Sequence, residues 1–202
     1  MIRPKNKRFN SIETKINLGE GSAKIDQQAD FYDQFWDIWH EKYRKILNYF
    51  YHFDEKSRVE FIKDSIKKYA SNKKSRKAFD LGCGRGRISF LLNKKGWKTT
   101  GLDLSKKTIL NIKKKNKKIN FHYGDMFTFN KYKRAEYDLV VSSEVMEHIN
   151  INQRIKYVEL IKNLLKKNGI LILTTPNIEE MIRLGWNAEQ PLAFWMKSDE
   201  LI

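Results

Sequence analysis

A glycine-rich loop follows the first short apolar run of the chain and is suited to holding a ligand against the main chain. Gly82, Gly84 and Gly86 alternate with larger residues, and Asp80 precedes them by two positions. Because glycine has no Cβ, the backbone can turn sharply there and a ligand can approach it closely. A helix is predicted to begin directly afterwards, so the free N–H groups of its first turn would face the same place. Taken alone, the loop is equally consistent with a tight turn.

Two acidic residues end the next two predicted strands and supply groups that recognise a nucleoside. Asp103 follows Gly82 at about the twenty-residue distance typical of nucleotide-binding folds, where a carboxylate accepts hydrogen bonds from ribose hydroxyls. Asp125 is placed to accept a hydrogen bond from an adenine amino group, with Leu104 and Met126 as apolar walls for the ring. The combination of loop and acids predicts an adenosine-binding site.

Alternating strands and helices must position these residues. Apolar runs predict strands over residues 77–81, 97–102, 119–123, 137–143 and 170–175. Periodic apolar residues predict helices over 88–93, 105–116 and 152–167. The alternation predicts an α/β fold with a doubly wound, mainly parallel sheet, in which ligands bind at the carboxyl ends of the strands. The apolar residues of the third helix that are expected to face inward are Ile155, Val158, Ile161, Leu164 and Leu165.

The segment before this core has a different composition, which divides the chain into three predicted parts. Residues 1–25 are polar and basic and are expected to form a mobile arm. Residues 26–72 are expected to be helical, with one helix over about 29–51 and a second over 55–69. The first of these helices carries aromatic residues at three- and four-residue spacing. Residues 73–202 would form the α/β core.

The pattern Asp80-x-Gly82-x-Gly84-x-Gly86 resembles the first motif of class I S-adenosylmethionine-dependent methyltransferases. The segments that resemble later motifs of that family, in its order and spacing, are 101–105, 124–126, 137–148 and 168–177. The resemblance implies a Rossmann-like fold. It also implies S-adenosyl-L-methionine as the cofactor and S-adenosyl-L-homocysteine as the product.

The resemblance implies a role for each part of the glycine loop. Gly82 and Gly84 would contact the methionine portion of the cofactor, and Asp80 would orient the loop. Cys83 and Gly86 belong to the same loop. Cys83 is a small residue between glycines with no evident histidine partner, so we expect it to pack rather than to react.

The same resemblance assigns the rest of the cofactor site to the following strand ends. Asp103 would hold the ribose, and Asp125 would hold the adenine between Leu104 and Met126. The backbone around Ser143 would contact the amino-acid end of the cofactor.

His148 is the candidate catalytic residue. Methyl transfer is an in-line displacement in which the protein mainly supplies alignment, so a base is needed only when the acceptor loses a proton. His148 follows the fourth strand at the mouth of the predicted site, beside Glu147, and Glu144 is a candidate hydrogen-bonding group for the acceptor. Alternatively, His148 orients its loop and Glu144 satisfies a helix end.

Tyr32, Trp36 and Trp39 are candidates for the wall of the acceptor pocket. In similar methyltransferases the segment before the core folds over the cofactor as a lid, and aromatic faces attract a sulfonium. The alternative, which aromatic residues at helical spacing favour, is that they only pack on the core.

The motifs are most similar to those of methyltransferases that act on small molecules, such as the ubiquinone-biosynthesis O-methyltransferase group. The predicted function is therefore methyl transfer to an oxygen or nitrogen of a small-molecule acceptor. An RNA methyltransferase and a non-catalytic subunit that binds S-adenosylmethionine are the alternatives. A nicotinamide-dependent dehydrogenase is disfavoured because the third glycine of the dinucleotide motif is displaced.

The net charge of +16 would suit a polyanionic partner, but lysine accounts for 30 of the 40 basic residues. Arginine, the usual reader of bases and phosphates, is scarce. We therefore favour a solvated surface over a nucleic-acid site. The single cysteine excludes an intrachain disulfide, and the spacing of the four histidines predicts no metal site.

The sequence also predicts the cellular location of the protein and the state of its C-terminal sheet edge. No apolar stretch is long enough to span a membrane, and the basic N-terminus has no apolar region behind it, so we expect a cytoplasmic protein. The family usually has two more strands after the fifth, whereas few residues follow Asn177. This difference predicts that the C-terminal hairpin is missing, which would leave an edge strand open to oligomerisation.

Overall fold

The computed structural model describes residues 48–132, 134–177 and 179, with side chains from residue 55 onward. The helices are α1 (Asn48–Ala70), α2 (Arg87–Lys94), α3 (Lys106–Lys115) and α4 (Arg154–Leu164). The strands are β1 (Lys77–Leu81), β2 (Lys98–Asp103), β3 (Asn120–Tyr123), β4 (Tyr137–Ser143) and β5 (Leu165–Thr174). Two short 3₁₀ turns, Met146–His148 and Ile151–Gln153, lie between β4 and α4.

The described strands form one five-stranded parallel sheet in the order β3-β2-β1-β4-β5. The chain moves outward from β1 to β3 and then returns to the other side of β1, where β4 pairs with it. This reversal opens a crevice at the carboxyl ends of β1 and β4, which is where ligands bind in doubly wound sheets. The predicted α/β fold class is confirmed.

Two apolar layers cover the faces of the sheet. On one face α1 and α2 contribute Ile62, Ile66 and Leu92 to a cluster with residues of β1, β4 and β5. On the other face α4 contributes Tyr157 and Ile161. Strand β4 is buried along nearly its whole length, as expected for a central strand covered on both sides. The sheet is therefore a rigid base for the loops at its carboxyl edge.

The structure corrects the predicted inward face of α4. Ile155 and Val158, which were expected to face inward, are 76% and 52% exposed. The inward positions predicted for Ile161 and Leu164 are confirmed, and Tyr157 completes the buried face at helical spacing. Only one orientation of α4 about its own axis buries this face. A 2.6 Å hydrogen bond between the hydroxyl of Tyr157 and Ser142 stabilises that orientation.

Two predicted boundaries are also corrected. The helix expected over 55–69 is part of α1, which already begins at Asn48 without the break that was predicted to precede residue 55. Helix α4 ends at Leu164, and β5 begins at Leu165, earlier than expected. A register shift between Tyr137 and Leu139 accommodates the early start of β5. The predictions of a mobile arm, of most of the helix over about 29–51 and of an absent C-terminal hairpin concern residues outside those described.

Candidate functional site

The glycine loop between β1 and α2 has the left-handed backbone that the sequence pattern requires. Gly82, Gly84 and Gly86 have φ values of 72°, 46° and 78°. A Cβ on Gly82 would lie 2.3 Å from Cγ2 of Val145, so even alanine cannot be accommodated there without movement. The N–H groups of Gly82 and Cys83 both donate to the carbonyl oxygen of Leu102, at 2.9 Å. The loop is thus attached to the end of β2.

Asp103 joins three strand ends at one place. Its Oδ2 accepts a 2.8 Å hydrogen bond from the N–H of Gly84, and its Oδ1 accepts a 2.9 Å bond from the N–H of Ser105. Its carbonyl oxygen accepts a 2.9 Å bond from Gly124, at the end of β3. The Asp103 carboxylate therefore orders the loop at the carboxyl ends of these strands.

Asp80 lies beneath the loop and ties it to α2. The residue is only 2% exposed, and Oγ of Ser89 donates a 2.5 Å hydrogen bond to its Oδ2. Burial raises the pKa of the Asp80 carboxyl to about 7, although the bond from Ser89 opposes this rise. Asp80 thus links β1 to α2 below the loop, and the loop-orienting role that the resemblance implies stays a prediction.

Asp125 has one carboxylate oxygen in use and one without a partner. Its Oδ1 accepts a 3.1 Å hydrogen bond from the N–H of Phe127, and its carbonyl oxygen accepts from Phe129 at 2.9 Å. Its Oδ2 is buried and has no hydrogen-bond partner. A buried acceptor without a partner is costly, so this atom calls for a donor such as an amino group. The site therefore fits an adenine at this position.

The remaining predicted cofactor residues are distributed around the same crevice. Leu104 follows Asp103 and Met126 follows Asp125, and both are half-buried. Ser143 ends β4, and its Oγ is 2.8 Å from Oγ1 of Thr174 on β5. Cys83 is buried beside Ile109 and Phe121, and burial raises the pKa of its thiol. Burial of this kind is typical of a thiol that packs rather than reacts.

The ends of β4 and β5 carry a polar cluster that joins α1 to the sheet. Glu144 has a φ of 57°, and its N–H donates a 2.9 Å bond to the carbonyl oxygen of Thr174. The Glu144 carboxylate lies 3.3 Å from the guanidinium of Arg58 and accepts a 3.0 Å bond from the hydroxyl of Thr174. A left-handed backbone at a residue other than glycine costs energy and is often found at functional sites.

Glu147 is the most deeply buried acid of this cluster. It is 3% exposed, and the hydroxyl of Thr175 donates a 3.1 Å bond to its Oε2. Burial raises the pKa of the Glu147 carboxyl to about 8, and the charge of Glu144 adds to this rise. Nε2 of His148 lies 3.8 Å from Oε1 of Glu147, so the candidate base stands beside this acid.

Arg58 and Glu147 were not predicted as site residues. Glu147 was visible in the sequence as the acid before His148, but nothing there indicated that it is buried. No local pattern could have identified Arg58, because it reaches the cluster from a helix distant in sequence. Tyr32, Trp36 and Trp39 lie outside the described residues. Within the part of the chain that the structure describes, no cluster of three potential metal ligands is found.

Comparison with known proteins gives one match to a family and several to individual proteins. Residues 72–200 match the family described as a methyltransferase domain. The ubiquinone biosynthesis O-methyltransferase of Pelagibacter ubique is 30% identical over 164 residues, covering 76% of this chain and 64% of that protein. The chain thus spans slightly less than two thirds of the length of that relative.

Solved structures match the fold of the chain. A protein from Pyrococcus horikoshii matches with a TM-score of 0.55 and 28% identity, over 71% of this chain and 69% of that one. An S-adenosylmethionine-dependent methyltransferase from Archaeoglobus fulgidus matches with a TM-score of 0.58 and 22% identity, over 76% of this chain and 70% of that one. The glycine loop, the acidic strand ends and these matches together show that the chain belongs to the methyltransferase-domain family.

Proposed function

We propose that this protein transfers a methyl group from S-adenosylmethionine to an oxygen or nitrogen atom of a small-molecule acceptor. S-adenosylmethionine is the cofactor of this methyltransferase domain. The observation that carries the proposal is the convergence of three strand ends on one crevice, where Asp125 offers a buried oxygen without a partner. The proposal accounts for that oxygen, since the adenine amino group supplies the missing donor.

We assign the cofactor contacts as the sequence predicts them. Gly82 and Gly84 contact the methionine portion, within the loop that also contains Cys83 and Gly86. The Asp103 carboxylate accepts from the ribose hydroxyls. Leu104 and Met126 cover the faces of the adenine, and the backbone at Ser143 contacts the amino-acid end. The support for this assignment is the set of main-chain bonds that already orders the loop.

When bound, the cofactor supplies an electrophilic methyl group on a sulfonium, and the acceptor atom attacks it in line. Residues of this chain then have two tasks. The rigid loop at the end of β1 aligns the cofactor, which lowers the entropic part of the barrier. His148 accepts the proton that an acceptor hydroxyl loses on attack.

A small acceptor is supported by the name of the Pelagibacter relative and by the charged groups at the ends of β4 and β5. Glu144, held by Arg58 and Thr174, offers a fixed hydrogen-bond acceptor on that side of the crevice. The aromatic wall predicted from Tyr32, Trp36 and Trp39 lies outside the described residues and stays a prediction. An acceptor with a polar hydroxyl on a planar ring would fit these groups.

Two measurements on the full chain test the proposal. Calorimetric titration should show binding of S-adenosylhomocysteine and no binding of NAD. A turnover assay with radiolabelled S-adenosylmethionine should then transfer label to members of a panel of hydroxylated aromatic compounds and not to RNA. Binding of NAD alone would overturn the cofactor assignment. Cofactor binding without turnover on any compound would favour the non-catalytic alternative, and label in RNA would favour an RNA methyltransferase.

A further inference from the structure

A groove between α1 and α2 is lined mainly by cations. Its volume is about 430 Å³, and its charged lining residues are Lys56, Glu60, Lys63, Arg87, Lys94 and Lys95. Five cations thus face one carboxylate, whereas the whole chain has 40 basic and 24 acidic residues. The α1/α2 groove is therefore more positive than the lysine-rich composition of the chain alone would give.

The lysines of the groove are not neutralised by neighbouring acids. Glu55 lies 2.5 Å from Arg87 and compensates its charge. Among the residues that the structure describes, the ammonium groups of Lys56, Lys63, Lys94 and Lys95 make no ion pair. Four like charges held along one cavity repel each other and attract a polyanion, which releases its counterions on binding.

The spacing and shape of the α1/α2 groove favour an extended anionic chain. Lys56 and Lys63 are two helical turns apart on α1, which corresponds to about 10 Å. That distance exceeds the spacing between successive phosphates of one strand, so the two lysines can contact different phosphates of the same strand. The apolar lining residues, Val59 and Leu91, are partly buried at its floor. A flat lipid surface would need apolar side chains that protrude instead.

The groove also lies close to the cofactor loop. Arg87 directly follows Gly86, the last glycine of the loop, and begins α2. Arg58, next to the groove residue Val59 on α1, pairs with Glu144 at the acceptor end of the crevice. A strand bound in the groove would therefore pass the outer side of the site.

We propose that the α1/α2 groove binds single-stranded nucleic acid through its phosphodiester backbone. This site is separate from the crevice that holds the cofactor, and it does not require nucleic acid to be the methyl acceptor. Recognition rests on lysine ammonium groups and phosphate oxygens, so little preference for base sequence is expected.

Fluorescence anisotropy of the full chain with a labelled oligouridylate, at a series of KCl concentrations, tests the proposal. With four phosphate contacts, a plot of log K against log of the salt concentration should have a slope of about −3. The combined substitution Lys56→Gln, Lys63→Gln and Lys94→Gln should reduce the slope to about −1. These three side chains are exposed, so the fold and the affinity for S-adenosylhomocysteine should be unchanged.

The matched control is the combined substitution Lys113→Gln, Lys114→Gln and Lys115→Gln at the exposed end of α3, which removes the same charge elsewhere. It should keep the slope near −3. A further variant, Glu60→Gln, removes the carboxylate of the groove and should strengthen binding without any loss of fold.

Three results would overturn the proposal. The first is no binding of the wild-type chain to either oligouridylate or oligothymidylate. The second is an equal reduction of the slope in both triple variants, which would mean a general charge effect. The third is binding of vesicles that contain phosphatidylglycerol by the groove lysines, without binding of the oligonucleotides, which would assign the groove to a membrane surface.

Discussion

The two halves of the crevice are built in different ways. At the ends of β1, β2 and β3, main-chain N–H groups and carbonyl oxygens make most of the contacts, and Asp103 accepts from two of those N–H groups. At the ends of β4 and β5, charged and hydroxyl side chains make them, with Arg58, Glu144 and Thr174 at the centre. The first half joins the ends of strands that follow one another along the chain, and the second requires α1 to be docked.

This difference suits a reaction in which the cofactor is always the same and the acceptor varies between enzymes. A backbone cradle offers the same donors and acceptors whatever side chains surround it, which suits a cofactor that does not change. A cluster of side chains can be altered by single substitutions, which suits an acceptor that differs between enzymes. We therefore expect the cofactor half, at the ends of β1, β2 and β3, to lose function when the backbone is changed. The acceptor half, at the ends of β4 and β5, should respond to changes of charge and pH.

The largest effect should follow from Gly82→Ala. The new Cβ would collide with Val145 and would also occupy a left-handed backbone, so the loop must move. We expect calorimetry to detect no binding of S-adenosylhomocysteine. The control is Gly96→Ala, which has a similar φ of 82° but no atom closer than 3.6 Å, and which should retain binding at a cost of about 1 kcal/mol in stability. Normal binding by the Gly82 variant would show that the loop is not part of the site.

A smaller effect, confined to the acceptor half, should follow from His148→Asn. Loss of a general base typically lowers the rate by about 10²–10⁴-fold. We expect a decrease in kcat of this size with a hydroxyl acceptor, measured by radiolabel transfer, while the affinity for S-adenosylhomocysteine stays at the wild-type value. An unchanged kcat would assign His148 to loop orientation.

Asp125→Asn should weaken binding of the cofactor. The amide oxygen can still accept from Phe127, but an NH₂ group then replaces the oxygen without a partner. Loss of such a bond costs about 1–3 kcal/mol, or roughly 5- to 150-fold in Kd for S-adenosylhomocysteine by calorimetry. The inosine analogue, which lacks the amino group, serves as the control. If the variant discriminates between the two ligands as the wild type does, Asp125 does not bind the base.

A change confined to the pH dependence of stability is expected from Glu147→Gln. The carboxyl keeps its proton up to about pH 8 in the folded protein, whereas an ordinary glutamic acid releases it near 4.5. Between these two pH values the folded state therefore holds one proton more than the unfolded state. The stability that this proton contributes is lost as the pH rises from about 4.5 to about 8. Because glutamine does not titrate, the decrease in Tm over this range should be smaller in the variant, by an amount equivalent to a few kcal/mol.

Glu159→Gln, on an exposed part of α4, is the matched control for this measurement and should keep the wild-type dependence. Parallel curves for the wild type and the Glu147 variant would mean that Glu147 is ionised in the folded protein.

The sequence was informative about the sheet and the cofactor half for a physical reason. Gly82, Asp103 and Asp125 end successive strands, and strand ends of a parallel sheet meet at one edge, so local spacing fixes their arrangement. Ile155 and Val158 of α4 were wrongly predicted to face inward because they are as apolar as Ile161 and Leu164, which are buried as predicted. Composition alone could not show that Tyr157 finds a hydrogen-bond partner in Ser142. Arg58 lies far from Glu144 in sequence, and only the packing of α1 brings the two together.

Cys83, the single cysteine of the chain, can report whether the crevice is occupied. Cys83 stands between two loop glycines, and its side chain is enclosed by the layer that includes Phe121. A thiol reagent can reach it only when this layer opens, so the rate of its reaction measures that opening directly. A ligand that bridges the glycines and the ends of β2 and β3 would slow the reaction. Alkylation kinetics would thus follow occupancy of the crevice without any introduced label.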